Sequence, residues 1–329
     1  MTATPVNVDN YARAEVAAQI DRLVGLGGEL NTWVHFRRPT PIDQQNVIRM
    51  NRDTLYSIAV VDIADGGTLT VPEGIGRYLT VMVVNEDGYV NRVFHESGSH
   101  ALTVDEFDTP YVILVARTLM DPGDSADLSV ANALQDGLEI CAGSARPWVS
   151  DRFDGVTYAA TKKALLALGL GIHDSTRTFG RQSEVDPVRF LIGTAGGFGG
   201  LPEGEAHYDV RADPRPIGRF RLTVADVPVD GFWSISVYNR DGYFDENPFG
   251  SYSVNSVTAS PDADGSVTVT FGPEPDGSPN FLLVRDGWNY VARMYRPRAE
   301  IQSGSWSFPE PFPEPFPEPF PEPFPEPLC

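Results

Sequence analysis

The run Asn51-Arg52-Asp53-Thr54-Leu55-Tyr56-Ser57 gathers an amide, a guanidinium, a carboxylate, two hydroxyls and a phenol in one short stretch. A carboxylate, a phenol or a serine hydroxyl can act as acid, base or nucleophile, and a guanidinium can hold an anionic group. Asp53, Tyr56 and Ser57 are therefore the candidate catalytic residues, and Asn51 and Arg52 candidate ligand contacts. Downstream, strand alternation over Tyr111–Arg117 puts Tyr111, Ile113, Val115 and Arg117 on one face. An arginine at the end of an apolar face needs a carboxylate, and Asp53, Glu86 and Asp87 are the candidate partners. Such convergence is either a structural clamp or the wall of a ligand pocket, and it adds Glu86 and Arg117 to the candidate ligand contacts.

A second stretch repeats the theme. In Phe232–Asn239 one face carries Trp233, Ile235 and Val237. In Trp288–Tyr295 one face carries Trp288, Tyr290, Ala292 and Met294. These read as core. The opposite faces mix Ser234, Ser236, Tyr238, Asn289 and Arg293, a composition suited to a cleft or a subunit interface. Tyr238 and Arg293 complete the candidate ligand contacts, and a homo-oligomer is expected.

Other motifs do not carry chemistry. No G-x-S-x-G occurs, so the hydrolase nucleophile elbow is missing. The glycine-rich run Gly193–Gly200 has neither the Lys-Ser/Thr of a P-loop nor dinucleotide spacing, and it reads as tight turns or close backbone approach. His95 and His100 are five apart rather than four, off the spacing that puts two zinc ligands on one helical face. No metal and no cofactor is expected.

The elements that must position these residues follow from periodicity. Ala12, Val16, Ile20, Leu23 and Val24 predict an amphipathic helix over Tyr11–Val24. Strands are predicted from Tyr56 to Ile63 and at Thr68–Val71, Arg77–Val84, Tyr89–Phe94 and Tyr111–Ala116. Helices follow at Asp127–Cys141 and Thr157–Leu168, and strands return at Gly218–Val224, Phe232–Tyr238, Ser266–Phe271, Asn280–Val284 and Trp288–Tyr295. Strands in runs predict a mainly β, α+β fold: two antiparallel β-rich modules joined by a helical segment. The expected divisions are 1–120, a helical connector at 121–204, 205–307, and a tail at 308–329. In that tail Phe-Pro-Glu-Pro repeats five times. Alternate prolines exclude helix and central strand and leave an extended arm.

The 329 residues carry a formal charge of −20, which disfavours nucleic acid and anionic membrane as partners. Met1–Asp9 has no basic and apolar leader pattern, and the cytoplasm is the expected compartment. Two cysteines, Cys141 and Cys329, give no disulfide framework.

The chain resembles a bacterial two-module family built from domains of unknown function 1254 and 1214. In the first module the resemblance rests on Asn51–Ser57, Gly76-Arg77-Tyr78, Asn85–Tyr89 and Arg117-Thr118-Leu119. In the second it rests on Asp186–Arg189, Asp230–Phe244, Tyr252–Asn255, Trp288-Asn289-Tyr290 and Tyr295–Ile301 with Gly304 and Trp306. It implies two β-rich modules with helices between and brings no established catalytic residue. Two functional readings remain: binding or hydrolysis of a small molecule in a cleft lined by Arg, Asp and Tyr, or a non-catalytic oligomeric interaction protein.

Overall fold

A computed structural model describes residues 3–45 and 47–314. The helices are α1 (Tyr11–Gly25), α2 (Val104–Phe107), α3 (Ser125–Asp136), α4 (Gly155–Leu168), α5 (Pro187–Gly197) and α6 (Ala299–Gln302). The first strands are β1 (Val34–His35), β2 (Thr54–Asp62), β3 (Gly67–Val71), β4 (Leu79–Asn85), β5 (Val90–Phe94), β6 (Gly98–Leu102), β7 (Tyr111–Leu119) and β8 (Glu139–Ala142). They form two sheets, ordered β1-β2-β7-β4-β5 and β6-β3-β8. The later strands are β9 (Ala206–Arg215), β10 (Phe220–Val224), β11 (Trp233–Tyr238), β12 (Ser253–Asn255), β13 (Val267–Gly272), β14 (Phe281–Leu283), β15 (Trp288–Tyr295) and β16 (Phe312–Pro313). They form sheets ordered β12-β11-β15-β9 and β14-β13-β10-β16. Strand pairings are antiparallel apart from β13 with β14. The architecture is the expected α+β one.

Alternation decides where each core sits. Ala59, Val61, Leu114, Ala116, Val81 and Val83 point from the five-stranded sheet onto Leu69, Val71 and Leu102 of the three-stranded one. Trp233, Ile235, Val237, Trp288, Tyr290, Ala292 and Met294 point onto Leu222, Val224, Val269 and Phe271. The remaining faces of the two larger sheets pack on each other and on α1. Val60, Met82, Ile113 and Val115 meet Phe232, Tyr295, Ala206 and the α1 residues Val16, Ile20 and Leu23. The Tyr- and Arg-bearing faces of β11 and β15 thus form an interface, but within one chain.

Three local expectations change. The helix predicted through Cys141 stops at Asp136, and Glu139–Ala142 instead pairs with β3, so Cys141 lies in a strand. Strand β9 is hidden in the sequence by Asp209, Asp213 and Pro214; a sheet edge tolerates these. Helix α5 is hidden by Gly193, Gly196 and Gly197, although Asp186 caps it by accepting from the amides of Val188 and Arg189, with Pro187 in its first turn. Gly193 and Gly200 allow close approach: a Cβ at either would collide with the Thr178 or Phe179 side chain.

The repeat does not start as a free arm. Phe308 is 3% exposed and packs edge-on against Trp233 and Trp306, at ring distances of 5.7 and 6.0 Å. Phe312 and Pro313 pair with Arg221 and Phe220 of β10. The expected extension of the later repeats, and the thiol of Cys329, lie outside the described residues.

Buried carboxylates tie the long connections down. Asp62, fully buried, accepts from the Arg146 backbone amide at 2.7 Å and from its guanidinium at 2.7 Å. Burial works to raise the Asp62 carboxyl, but Arg146 and the surrounding amides prevail and hold it far below the usual carboxylate range. Its folded-state pKa therefore lies below the unfolded one, so its contribution is present above about pH 4 and fades as pH falls through the folded value. Asp62→Asn should lower the melting temperature at pH 7. The gap to the native chain should narrow steadily when melting is followed from neutral into acid pH. A gap that stays constant would contradict this assignment.

Candidate functional site

The seven-residue run lies at the seam between the modules, and the pleat divides it. Tyr56 lies on the β2 face shared with Ile58 and Val60, whereas Ser57 points to the other side. There Ser57 is fully buried, 2.8 Å from Nδ1 of His35 and accepting from Nε2 of Gln135 at 3.0 Å. Adjacent strand residues cannot share a site in this way, so Ser57 is removed from any chemistry at Tyr56.

Beside Tyr56 in the ladder is Arg117, and beside Arg117 is Thr80. Arg117 is 5% exposed and its guanidinium carbon lies 5.4 Å from the Tyr56 ring centroid. The carboxylate partner expected for it does not materialise. Nη2 donates to the Gly199 carbonyl at 2.5 Å, and Nη1 has no hydrogen-bond partner among the described residues. Gly199 supplies that carbonyl from a backbone with φ +80°, a conformation natural to glycine. Burial works against the Arg117 charge, yet the phenols of Tyr56, Tyr208, Tyr78 and Tyr295 favour it and raise its pKa. Burial also works to raise the Tyr56 phenol. The Arg117 charge and the Asn51 amide outweigh it and hold that phenol below the ordinary tyrosine value.

The other candidates separate from this pair. Glu86 accepts from Arg13 at 2.9 Å and from the Tyr111 amide at 3.0 Å, closing a turn against α1. Asp87 pairs with the same Arg13 at 2.8 Å. Asp53 is 1% exposed, with only Asn255 near one oxygen, at 3.5 Å, and the other oxygen unpartnered. Arg52 donates to the Thr40 carbonyl and lies over the Tyr252 ring at 5.4 Å, joining the modules. His95 contacts Glu205 at 2.5 Å, and His100 packs on the Phe94 ring at 4.4 Å.

Arg293 and Tyr238 are fastenings between modules. Arg293, 4% exposed, donates to Ser236 at 3.0 Å, to the Tyr238 hydroxyl at 2.8 Å and to the Arg49 carbonyl at 2.7 Å. The Tyr238 hydroxyl donates onward to the Met50 carbonyl at 2.9 Å. The second module thereby fixes the backbone that leads into Asn51.

A cavity of about 370 Å³ opens beside that backbone. Val60, Ile113 and Val115 line it, and Asn51, Thr54, Tyr56 and Arg117 cluster together as its polar end. Its rim includes exposed Leu26, Phe36 and Val47. Arg22 and Arg38 also line it, and no Asp or Glu does so among the described residues. Sequence reasoning found Asn51, Tyr56 and Arg117 but not Arg22, Arg38, Phe36 or Phe198. The outward face of α1 beyond Leu23 was the available signal, since Leu26 continues the apolar stripe past the glycine stop.

The model for proteins of unknown function DUF1254 matches residues 30–101, and that for DUF1214 matches residues 210–299. The two models follow one another along the chain in the order of the two-module DUF1254–DUF1214 family. The fold of this DUF1254–DUF1214 chain is similar to that of the VPA0106 protein from Vibrio parahaemolyticus. The TM-score is 0.72 at 18% identity, over 93% of this chain and 97% of that one. It is also similar to an uncharacterised protein from Burkholderia cenocepacia, with TM-score 0.50 at 15% identity over 87% and 84% of the two chains. No curated protein matches the sequence. Among the described residues no helix is long and apolar enough to cross a membrane.

Tyr238→Phe should lower stability by roughly 1–3 kcal/mol, because it strands the Met50 carbonyl in the interior and removes one of the two acceptors of Arg293 Nη2. Urea unfolding measures this directly, and an unchanged midpoint would remove Tyr238 from the fastening.

Proposed function

We propose that the cavity binds a small amphipathic anion, a carboxylate- or phosphate-type head on an apolar body. The observation that carries this reading is the Nη1 of buried Arg117, without a hydrogen-bond partner among the described residues, at the polar end of a chamber lined mostly by aliphatic and aromatic side chains. A buried guanidinium is costly without an anion, and no carboxylate among the described residues pairs with it. Arg22 and Arg38 add positive charge at the cavity of a chain whose net charge is −20, which favours entry of an anion there. The mostly apolar wall with a few convergent polar groups is the ordinary composition of a small-molecule site.

One observation favours a catalytic version of the same site. Tyr56 is held below its usual pKa by Arg117, so its phenol is suited to move a proton to or from a ligand whose anionic group Arg117 holds. Hydrolysis through a Ser57 nucleophile finds no support, since Ser57 lies on the far side of the sheet, and Asp53 is not on the cavity wall.

Arg117→Met decides between pocket and clamp. A clamp residue would cost roughly 3–5 kcal/mol when removed, because its partner carboxylate is left unpaired. With no such partner, melting should hold or rise while calorimetric binding of an apolar carboxylate such as octanoate falls by ten-fold or more, about 1.4 kcal/mol. Strong destabilisation would overturn the pocket reading.

A further inference from the structure

We propose that the groove holding the first Phe-Pro-Glu-Pro repeat is a general receptor for that motif, and that it accepts repeats from the tail of a second copy of this chain. The groove reads the repeat at four places. Phe308 is buried against Trp233 and Trp306. Glu310 receives Arg211 at 2.5 Å and Arg215 at 3.2 Å, and Arg215 also reaches the Pro311 carbonyl at 3.4 Å. Phe312 and Pro313 add to the open edge of β10, where the Glu314 amide donates to the Arg219 carbonyl at 2.9 Å. Glu314 then pairs with Arg221 at 2.7 Å.

Every one of these features recurs at an interval of four residues. The sequence presents phenylalanine again at positions 312, 316, 320 and 324, and glutamate at 314, 318, 322 and 326. Shifting the tail by one repeat returns the same side chain to each subsite, so the groove discriminates among repeats only through the short tether from Trp306. A repeat from a second copy brings the same contacts, which is the condition for exchange of identical segments between protomers. Arg211, Arg215 and Arg221 gather positive charge on one face of an acidic chain, and the tail supplies the complementary glutamates. Strand addition supplies affinity through main-chain bonds, while the Phe and Glu subsites give selectivity. The tethered repeat competes at high effective concentration, so exchange between copies is weaker than the internal docking.

The test uses the full chain with Cys141→Ser and Cys329→Ser, so that no thiol-linked dimer can form. A fluorescent peptide of three Phe-Pro-Glu-Pro units is titrated with protein and followed by anisotropy. Saturable binding is expected, weakened roughly ten-fold or more when every Glu of the peptide is replaced by Gln or every Phe by Ser. Glu310→Gln in the chain should tighten peptide binding, because it weakens the internal competitor. Sedimentation of the full chain should show concentration-dependent dimers that excess peptide dissolves. No saturable binding at millimolar peptide, or equal binding of the altered peptides, would overturn the receptor. Peptide binding without self-association would overturn the second copy as its occupant.

Discussion

A guanidinium taken out of water without a carboxylate to meet it is the constraint on which this structure turns. Arg117 sits in the middle of the five-stranded sheet, on the face that meets the second module, and its known partners are one backbone carbonyl and a surround of phenols. Everything nearby accommodates that charge. The glycine run after α5 brings a carbonyl close, Tyr56 lies within 5.4 Å, and Arg117 lines the cavity with one nitrogen that has no hydrogen-bond partner among the described residues. Isolated charges of this kind are expensive, and the anionic ligand proposed above would offset that cost.

The second module makes that arrangement rigid. Arg293 and Tyr238 hold the carbonyls of Arg49 and Met50, and Arg52 lies over Tyr252. Residues 49–52 are thus fixed from one side by the second module and from the other by β2, and Asn51 and Thr54 are presented to the cavity. This explains why polar side chains on β11 and β15 face inward: they satisfy backbone groups of the first module in a place water does not reach. The cavity is lined by the first module and by Phe198 and Gly199 after α5, but its polar end depends on the second module.

Much of this was legible in the sequence. Alternation placed Trp233, Trp288 and Tyr290 in one core, and Tyr111, Ile113, Val115 and Arg117 together on one face, because period two survives any tertiary context. Asn51, Tyr56 and Arg117, singled out by residue type for a site, do line one cavity. What failed were pairings across the chain. Glu86 lies at a strand end as expected, but Arg13 of α1 takes it, and nothing local announces a contact over that separation. Ser57 was grouped with Tyr56 by sequence proximity, which the strand pleat reverses. Strand β9 and helix α5 were concealed by proline, aspartate and glycine that their positions tolerate: a sheet edge for β9 and close packing on Phe179 for α5.

The most direct test of the central claim is an anomalous diffraction map of crystals soaked with a bromine-labelled aryl carboxylate. The account predicts the carboxylate within hydrogen-bonding distance of Arg117 Nη1 and the Tyr56 hydroxyl, with the brominated ring toward Ile113, Val115 and Leu23. A carboxylate bound away from Arg117, or an Arg117 side chain turned to pair with Asp53, would contradict it.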